Sequence, residues 1–238
     1  MVEQKAAASR LWAVVPAAGQ GSRFGAELPK QYMSLAGKTV IEHSIAALLR
    51  CDELSGVVVA LHVDDKIFSG LPCANNAKVM QIVGGAERSE SVELALAGLS
   101  AAADQDWVLV HDAARPCLSD QDIQALLLRA RKHPVGGLLA ARVVDTVKRA
   151  SSQGEAVATV DRDDLWRALT PQLFRYGALR DALIHCRERG LPVTDEASAM
   201  EYIGGRPLLV EGSHRNIKIT YPDDLTMAAV FLAGGVNV

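Results

Sequence analysis

The chain has 238 residues, 49% of them hydrophobic, and a formal net charge of -3. That length accommodates one large α/β domain or two small ones, with enough apolar residues for a sizeable core. Basic residues are scattered singly, so no nucleic acid is expected as a partner and a small anionic ligand suits the charge pattern better. No apolar run approaches the ~20 residues that cross a bilayer, so no membrane partner is expected either. The four cysteines, Cys51, Cys73, Cys117 and Cys186, show neither C-x-x-C pairing nor zinc spacing and read as reduced thiols of a cytoplasmic protein.

In chain order, the first expected strand is Leu11–Val15, which stops at Pro16 and opens into a loop of small residues. Apolar spacing at Ile41, Ile45, Leu48 and Leu49 predicts a helix over Thr39–Arg50. Gly56–His62 and Lys78–Val83 read as strands, Ser89–Ala102 as a helix, Trp107–His111 as a strand and Ser119–Lys132 as a helix. Ser119 is a good N-cap with acids in the following turn. This β-α-β-α alternation implies a Rossmann-like, doubly wound, mostly parallel sheet. From Leu138 to Val147 the chain is β-prone, Ser151–Glu155 is a turn cluster, and Ala156–Val160 is β-prone again. A projecting β-hairpin arm over about residues 138–163 is expected, inserted in a single domain. Helical texture returns at Tyr176–Arg189, Glu196–Tyr202 and Pro222–Ala233, where Pro222 marks a helix start.

Four groups of residues point to chemistry. The loop Ala17-Ala18-Gly19-Gln20-Gly21 follows the first strand, with Arg23 and Lys30 close behind. Its small residues suit close approach of backbone N–H groups to phosphates, and the two cations suggest a nucleoside triphosphate. It lacks the third glycine of a dinucleotide fingerprint and the ending of a P-loop, so an ordinary β–α turn is the competing reading. His111-Asp112-Ala113-Ala114-Arg115-Pro116 lies at the end of a strand, where open α/β sheets bind ligands. There Asp112 is placed to hold Mg²⁺ and Arg115 to take a second phosphate, or Asp112 is a turn cap. His111 reads as a buried histidine without a catalytic role. Gly84-Gly85-Ala86-Glu87-Arg88-Ser89-Glu90-Ser91 offers backbone groups that can read a base edge, with Ser91 adding a hydroxyl, or is simply a loop and N-cap. Glu87 and Arg88 read as solvated or paired. In Asn216-Ile217-Lys218-Ile219-Thr220, read as a short strand, Lys218 alternates with two isoleucines and should point away from their face into a cleft. No Ser-His-Asp or Cys-His set supplies a covalent nucleophile.

Taken together, PAAGQGSRF, LPKQY, VHDAARP, DTVKR, TPQLF, TDEASAMEY and NIKIT resemble the 2-C-methyl-D-erythritol 4-phosphate cytidylyltransferases of the non-mevalonate isoprenoid pathway. The resemblance runs from Val14 to about Leu225. It implies transfer of a cytidylyl group from CTP to methylerythritol phosphate, with release of pyrophosphate. It further implies that Ala17, Ala18 and Gly19 cradle the triphosphate, that Arg23 and Lys30 stabilise the transition state, and that Gly85, Ala86 and Ser91 read cytosine. Ala86 stands where an acidic or hydroxyl side chain is frequent, so its contact would be through backbone. Asp112 would support Mg²⁺, Arg115 and Thr194 would line the sugar-phosphate pocket, and Lys218 would hold the incoming phosphate. The resemblance also implies a homodimer whose arms reach over each other's sites, bringing Thr146 and Arg162 to the neighbouring subunit's substrate. Two other readings compete. One is a cytidylyltransferase for another polyol phosphate, such as ribitol 5-phosphate, differing in the pocket of Arg115, Thr146, Arg162 and Thr194. The other is a nucleotide-binding regulator without catalysis, against which the cations Arg23, Lys30 and Lys218 argue.

Overall fold

The computed structural model of the chain describes residues 9–19 and 28–234. The first strand is β1 (Leu11–Ala17), followed by a short antiparallel ribbon of β2 (Ser34–Leu35) and β3 (Lys38–Thr39), then α1 (Val40–Leu49) and β4 (Leu54–Leu61). Next come β5 (Val79–Val83), α2 (Arg88–Gly98), β6 (Trp107–Val110), α3 (Asp120–Ala130), β7 (Gly137–Arg142), β8 (Val147–Ala150) and β9 (Ala156–Val160). The chain continues through β10 (Trp166–Arg175), α4 (Tyr176–Glu188), α5 (Glu196–Tyr202), β11 (Leu208–Glu211) and α6 (Pro222–Leu232).

Seven strands form one sheet in the order β11-β7-β10-β6-β1-β4-β5. β1 runs parallel to both β4 and β6, β4 to β5, and β7 to β11, while β10 is antiparallel to both its neighbours. The period-2 alternation of side chains explains why β1 is apolar throughout. Leu11, Ala13, Val15 and Ala17 pack on one face with α1 and α3, whereas Trp12 and Val14 pack on the other with α2, α4 and α5. The mostly parallel, doubly wound α/β architecture expected from the alternating elements is thus present. Its strand order reverses between β1 and β6, which opens a crevice beyond their C-terminal ends.

Helix starts follow local chemistry. Thr39 caps α1 through a capping box with Glu42, and Ser119 caps α3 by accepting from Asp122 N. α2 begins at Arg88 and ends at Gly98, earlier than Ala102. One strand has no counterpart among the expected elements, and two other expectations are corrected. β10, which contains the TPQLF motif, is a central strand with Leu173 and Phe174 fully buried. Its Pro171 sits inside a register irregularity between Ala168 and Gln172, where the missing N–H removes no regular ladder bond. Leu138–Arg142 belongs to β7 in the central sheet, so the hairpin itself is the narrower β8–β9 pair. Asn216–Thr220 is not a strand. It pairs in no ladder, and it is anchored instead by Ile219, buried with Leu35, Val40, Ala114 and Ala228.

Candidate active site

The crevice at the strand reversal is a cleft of about 420 Å³. Ala17, Ala18 and Gly19 form one wall, Gly85, Ala86 and Ser91 another, and Lys30, Asp112 and Lys218 converge between them. Nine of the residues singled out from sequence therefore meet in one place. Arg23 lies outside the described residues.

The first wall is shaped by Gln31, whose amide nitrogen donates to the carbonyl oxygens of Ala17 at 3.0 Å and Gly19 at 3.1 Å. Gln31 occupies the same 3₁₀ turn as Lys30. The turn is pinned by the buried Tyr32, whose hydroxyl donates to Asp65. Burial and the Asp65 carboxylate push the Tyr32 phenol far up, so it remains a donor.

The second wall is held by α2. Ser91 Oγ accepts from Gly85 N at 3.1 Å, and Glu90 accepts from Ala86 N at 2.8 Å. The loop also packs too closely for side chains. A Cβ on Gly84 would lie 2.8 Å from Ser91 Oγ and 2.9 Å from the Ala18 methyl, so this glycine lets the two walls touch.

Asp112 is the electrostatic centre. Arg88 Nε lies 2.9 Å from one of its oxygens and Lys218 Nζ 2.8 Å from the other, with Arg115 Nε at 3.6 Å. Burial opposes ionisation of this carboxyl, but Arg88, Lys218 and Arg115 together outweigh it and hold it far below the usual carboxylate range. Asp112 N donates to Thr170 Oγ1 at 3.1 Å, and that hydroxyl lies 3.0 Å from His111 Nδ1. His111 Nε2 lies 3.1 Å from the carbonyl oxygen of Arg115. A carbonyl only accepts, so Nε2 carries the proton, Nδ1 accepts, and Thr170 donates to it. Burial drives His111 down to about 4 despite the adjacent Asp112, which keeps the ring neutral near pH 7. The histidine is a buried structural group, as read from sequence.

Arg115 lies beneath the cleft rather than along it. It is almost fully buried and donates to the carbonyl oxygen of Asn216 at 2.7 Å, while Asn216 Nδ2 donates to the Thr170 carbonyl at 2.8 Å. Thr146, Arg162 and Thr194 are exposed and do not line the cleft within one chain. Arg162 donates to the Val144 carbonyl at the root of the hairpin. Thr194 precedes Asp195, the N-cap of α5, and donates to Ser198 Oγ through its backbone N–H at 3.1 Å.

Sequence reasoning missed Gln31, Thr170, Asn216 and Glu196. Glu196 is completely buried, on the same helical face as Ala197 and Met200. A carboxylate in that apolar row was the available signal.

Among the described residues, no group of three or more His, Cys, Asp or Glu side chains is arranged to hold a metal. Asp112 can contribute one ionised carboxylate, and its oxygen facing Arg88 keeps a second lone-pair direction. Such a donor fits Mg²⁺ only beside phosphate oxygens from a ligand, the usual pattern for that ion.

A doubly wound α/β sheet with a cationic, glycine-walled cleft at its switch point defines a protein that handles a phosphate-bearing ligand. The family model described as 2-C-methyl-D-erythritol 4-phosphate cytidylyltransferase matches residues 11–234, and the chain belongs to that family. It is 53% identical over 216 residues to the enzyme so named in Pseudomonas putida, covering 90% of this chain and 92% of the relative. The Vibrio vulnificus enzyme of the same name is 50% identical over 224 residues, covering 94% of each chain. The crystal structure of the Francisella tularensis cytidylyltransferase superposes with a TM-score of 0.82 at 37% identity, over 94% of this chain and 100% of that one.

Proposed function

We propose that this chain transfers the cytidylyl group of CTP to 2-C-methyl-D-erythritol 4-phosphate, giving 4-diphosphocytidyl-2-C-methyl-D-erythritol and pyrophosphate in the non-mevalonate isoprenoid pathway. The observation that carries this reading is the convergence of Lys30 and Lys218 in the glycine-walled cleft, in a chain of this family. A phosphate oxygen of the alcohol substrate attacks the α-phosphorus of CTP, and the bond from that phosphorus to the bridging oxygen of pyrophosphate breaks. The nucleophile is already an anion, so no general base is required, and catalysis rests on positioning and charge stabilisation.

Each residue then has a task. Backbone groups of Ala17, Ala18 and Gly19 cradle the triphosphate. Backbone groups of Gly85 and Ala86, in the loop held by Ser91, read cytosine. Lys30, with Arg23, stabilises charge developing on the phosphates. Lys218 holds the incoming phosphate. Mg²⁺, held by Asp112 and the nucleotide, would neutralise triphosphate charge. Arg115 and Thr194 belong to the alcohol-phosphate side. Thr146 and Arg162 serve the site of a second copy in a homodimer with exchanged arms, which suits their exposure and their absence from the lining of their own chain's cleft. The four free thiols suit a cytoplasmic location.

The test is pyrophosphate release by the purified chain with CTP and either methylerythritol phosphate or ribitol 5-phosphate. Turnover with the former is expected. Turnover with ribitol 5-phosphate alone would overturn the substrate assignment, and CTP binding without turnover on either alcohol would favour a regulator.

A further inference from the structure

Arg88 was read from sequence as a solvated or paired charge, and the mechanism above gives it no task. Its surroundings are more specific than that. Its Nη1 and Nη2 form a bidentate pair with Glu196 at 2.7 and 3.0 Å, while its Nε donates to Asp112 at 2.9 Å. Glu196 is fully buried at the start of α5, and both its oxygens accept from Arg88. One guanidinium thus joins the first residue of α2, the first residue of α5 and the loop after β6.

An ion pair of this kind is an inefficient way to gain stability. Desolvating two charges largely offsets their attraction, and apolar residues of similar size often do as well. The geometry instead serves direction. The planar fork of Arg88 is fixed end-on by Glu196, which leaves Nε with one orientation, towards Asp112. Asp112 is thereby held through one oxygen by Arg88 and meets Lys218 with the other. Without Arg88 the carboxylate would keep only Lys218 and, at 3.6 Å, Arg115 as cationic partners, and could pivot to engage Lys218 with both oxygens, withdrawing that ammonium from the phosphate it is to hold.

We infer that Arg88, anchored by Glu196, is a positioning residue that fixes the Asp112 carboxylate so that Lys218 stays available to the incoming phosphate. This rests on the cytidylyl-transfer reading. Lysine at position 88 keeps the charge but cannot make the bidentate contact and the third bond together. Arg88→Lys and Glu196→Gln should therefore each lower kcat by about tenfold or more while the KM for CTP changes by less than about threefold.

A double variant, Arg88→Met with Glu196→Leu, separates positioning from simple support of the fold. Removing both charges should restore thermal stability lost in either single variant, yet leave kcat depressed. The experiment is steady-state pyrophosphate release by the unsubstituted chain and the three variants, with melting temperatures measured alongside. Recovery of kcat to within about twofold of the unsubstituted chain in the double variant would overturn the inference, as would unimpaired kcat in folded Arg88→Lys. If the unsubstituted chain itself shows no turnover, the reading of function falls, and the inference with it.

Discussion

Lys30 Nζ donates to the carbonyl oxygen of Ile219 at 2.8 Å, joining residues 189 positions apart. Ile219 is fully buried against Leu35, Val40, Ala114 and Ala228, so that carbonyl is a fixed anchor. The bond holds the ammonium of Lys30 against the segment that carries Lys218, and both side chains line the cleft. Two cations from opposite ends of the chain are thus placed before any ligand arrives, which lowers the ordering cost at the moment of reaction.

Lys30→Ala should lower kcat by about 10²-fold or more, the scale associated with loss of one preorganised donor to a developing negative charge. Binding of CTP should weaken much less. Pyrophosphate release and CTP titration, run on the same preparation, check both halves. Equal losses in binding and turnover would reduce Lys30 to a general phosphate contact.

Under the proposed sharing of Mg²⁺ between Asp112 and nucleotide phosphates, turnover should require a divalent cation. Excess chelator should abolish pyrophosphate release, and added Mg²⁺ should restore it. Undiminished turnover in chelator would remove the metal from the mechanism.

The two walls of the cleft meet at Gly84. An added Cβ there faces the Ala18 methyl at 2.9 Å, and an alanine has no rotamer by which to yield. Gly84→Ala should therefore push the walls apart and weaken CTP binding by about tenfold, a loss of about 1.4 kcal/mol. Gly85→Ala should be milder. The Cβ there would meet Glu90 Cγ at 2.2 Å, and that flexible side chain can swing away, losing only its bond to Ala86 N. Calorimetric titration with CTP ranks the pair, and the reverse order would contradict this account.

Stability should fall with acid in two windows. His111 is pushed from 6.5 down to about 4 by burial, so between those values the unfolded chain binds more protons than the folded one. Stability therefore drops as pH falls from about 6.5 to about 4, by up to about 3 kcal/mol. Asp112, depressed below its ordinary 3.8, adds a further loss only as pH falls below that value. Urea midpoints measured across this range should move steadily downward with pH; a flat profile between about pH 6.5 and pH 4 would show that His111 does not titrate as its burial requires.

The proposed arm exchange makes a prediction about mixtures. Arg162→Ala and Lys30→Ala chains should each turn over poorly alone. Mixed under conditions that exchange subunits, they should recover activity, because a heterodimer has one site with an intact Lys30 and an intact Arg162 from the other chain. No recovery would place Arg162 in the service of its own chain's site, or remove it from the site altogether.

Local chemistry determined much of this protein. The alternation of apolar runs and helical spacing specified a doubly wound α/β sheet, because side-chain periodicity is set within a few residues. Lys218 lines the cleft, as its alternation with two isoleucines suggested, even though the segment is not a strand. What tertiary structure decided was which distant segments meet. β10 lies antiparallel between β6 and β7, accommodating Pro171 at an irregularity that no local pattern announces. Gln31 reaches back to the Ala17 and Gly19 carbonyls, Thr170 joins Asp112 to His111, and Glu196 finds Arg88 across the sheet's end. Such partners are chosen by packing and by the cost of leaving buried polar groups unpaired, and these act between residues remote in sequence. The same logic explains why Arg88 reads in sequence as an unremarkable charge and becomes, in the fold, the group that orients Asp112.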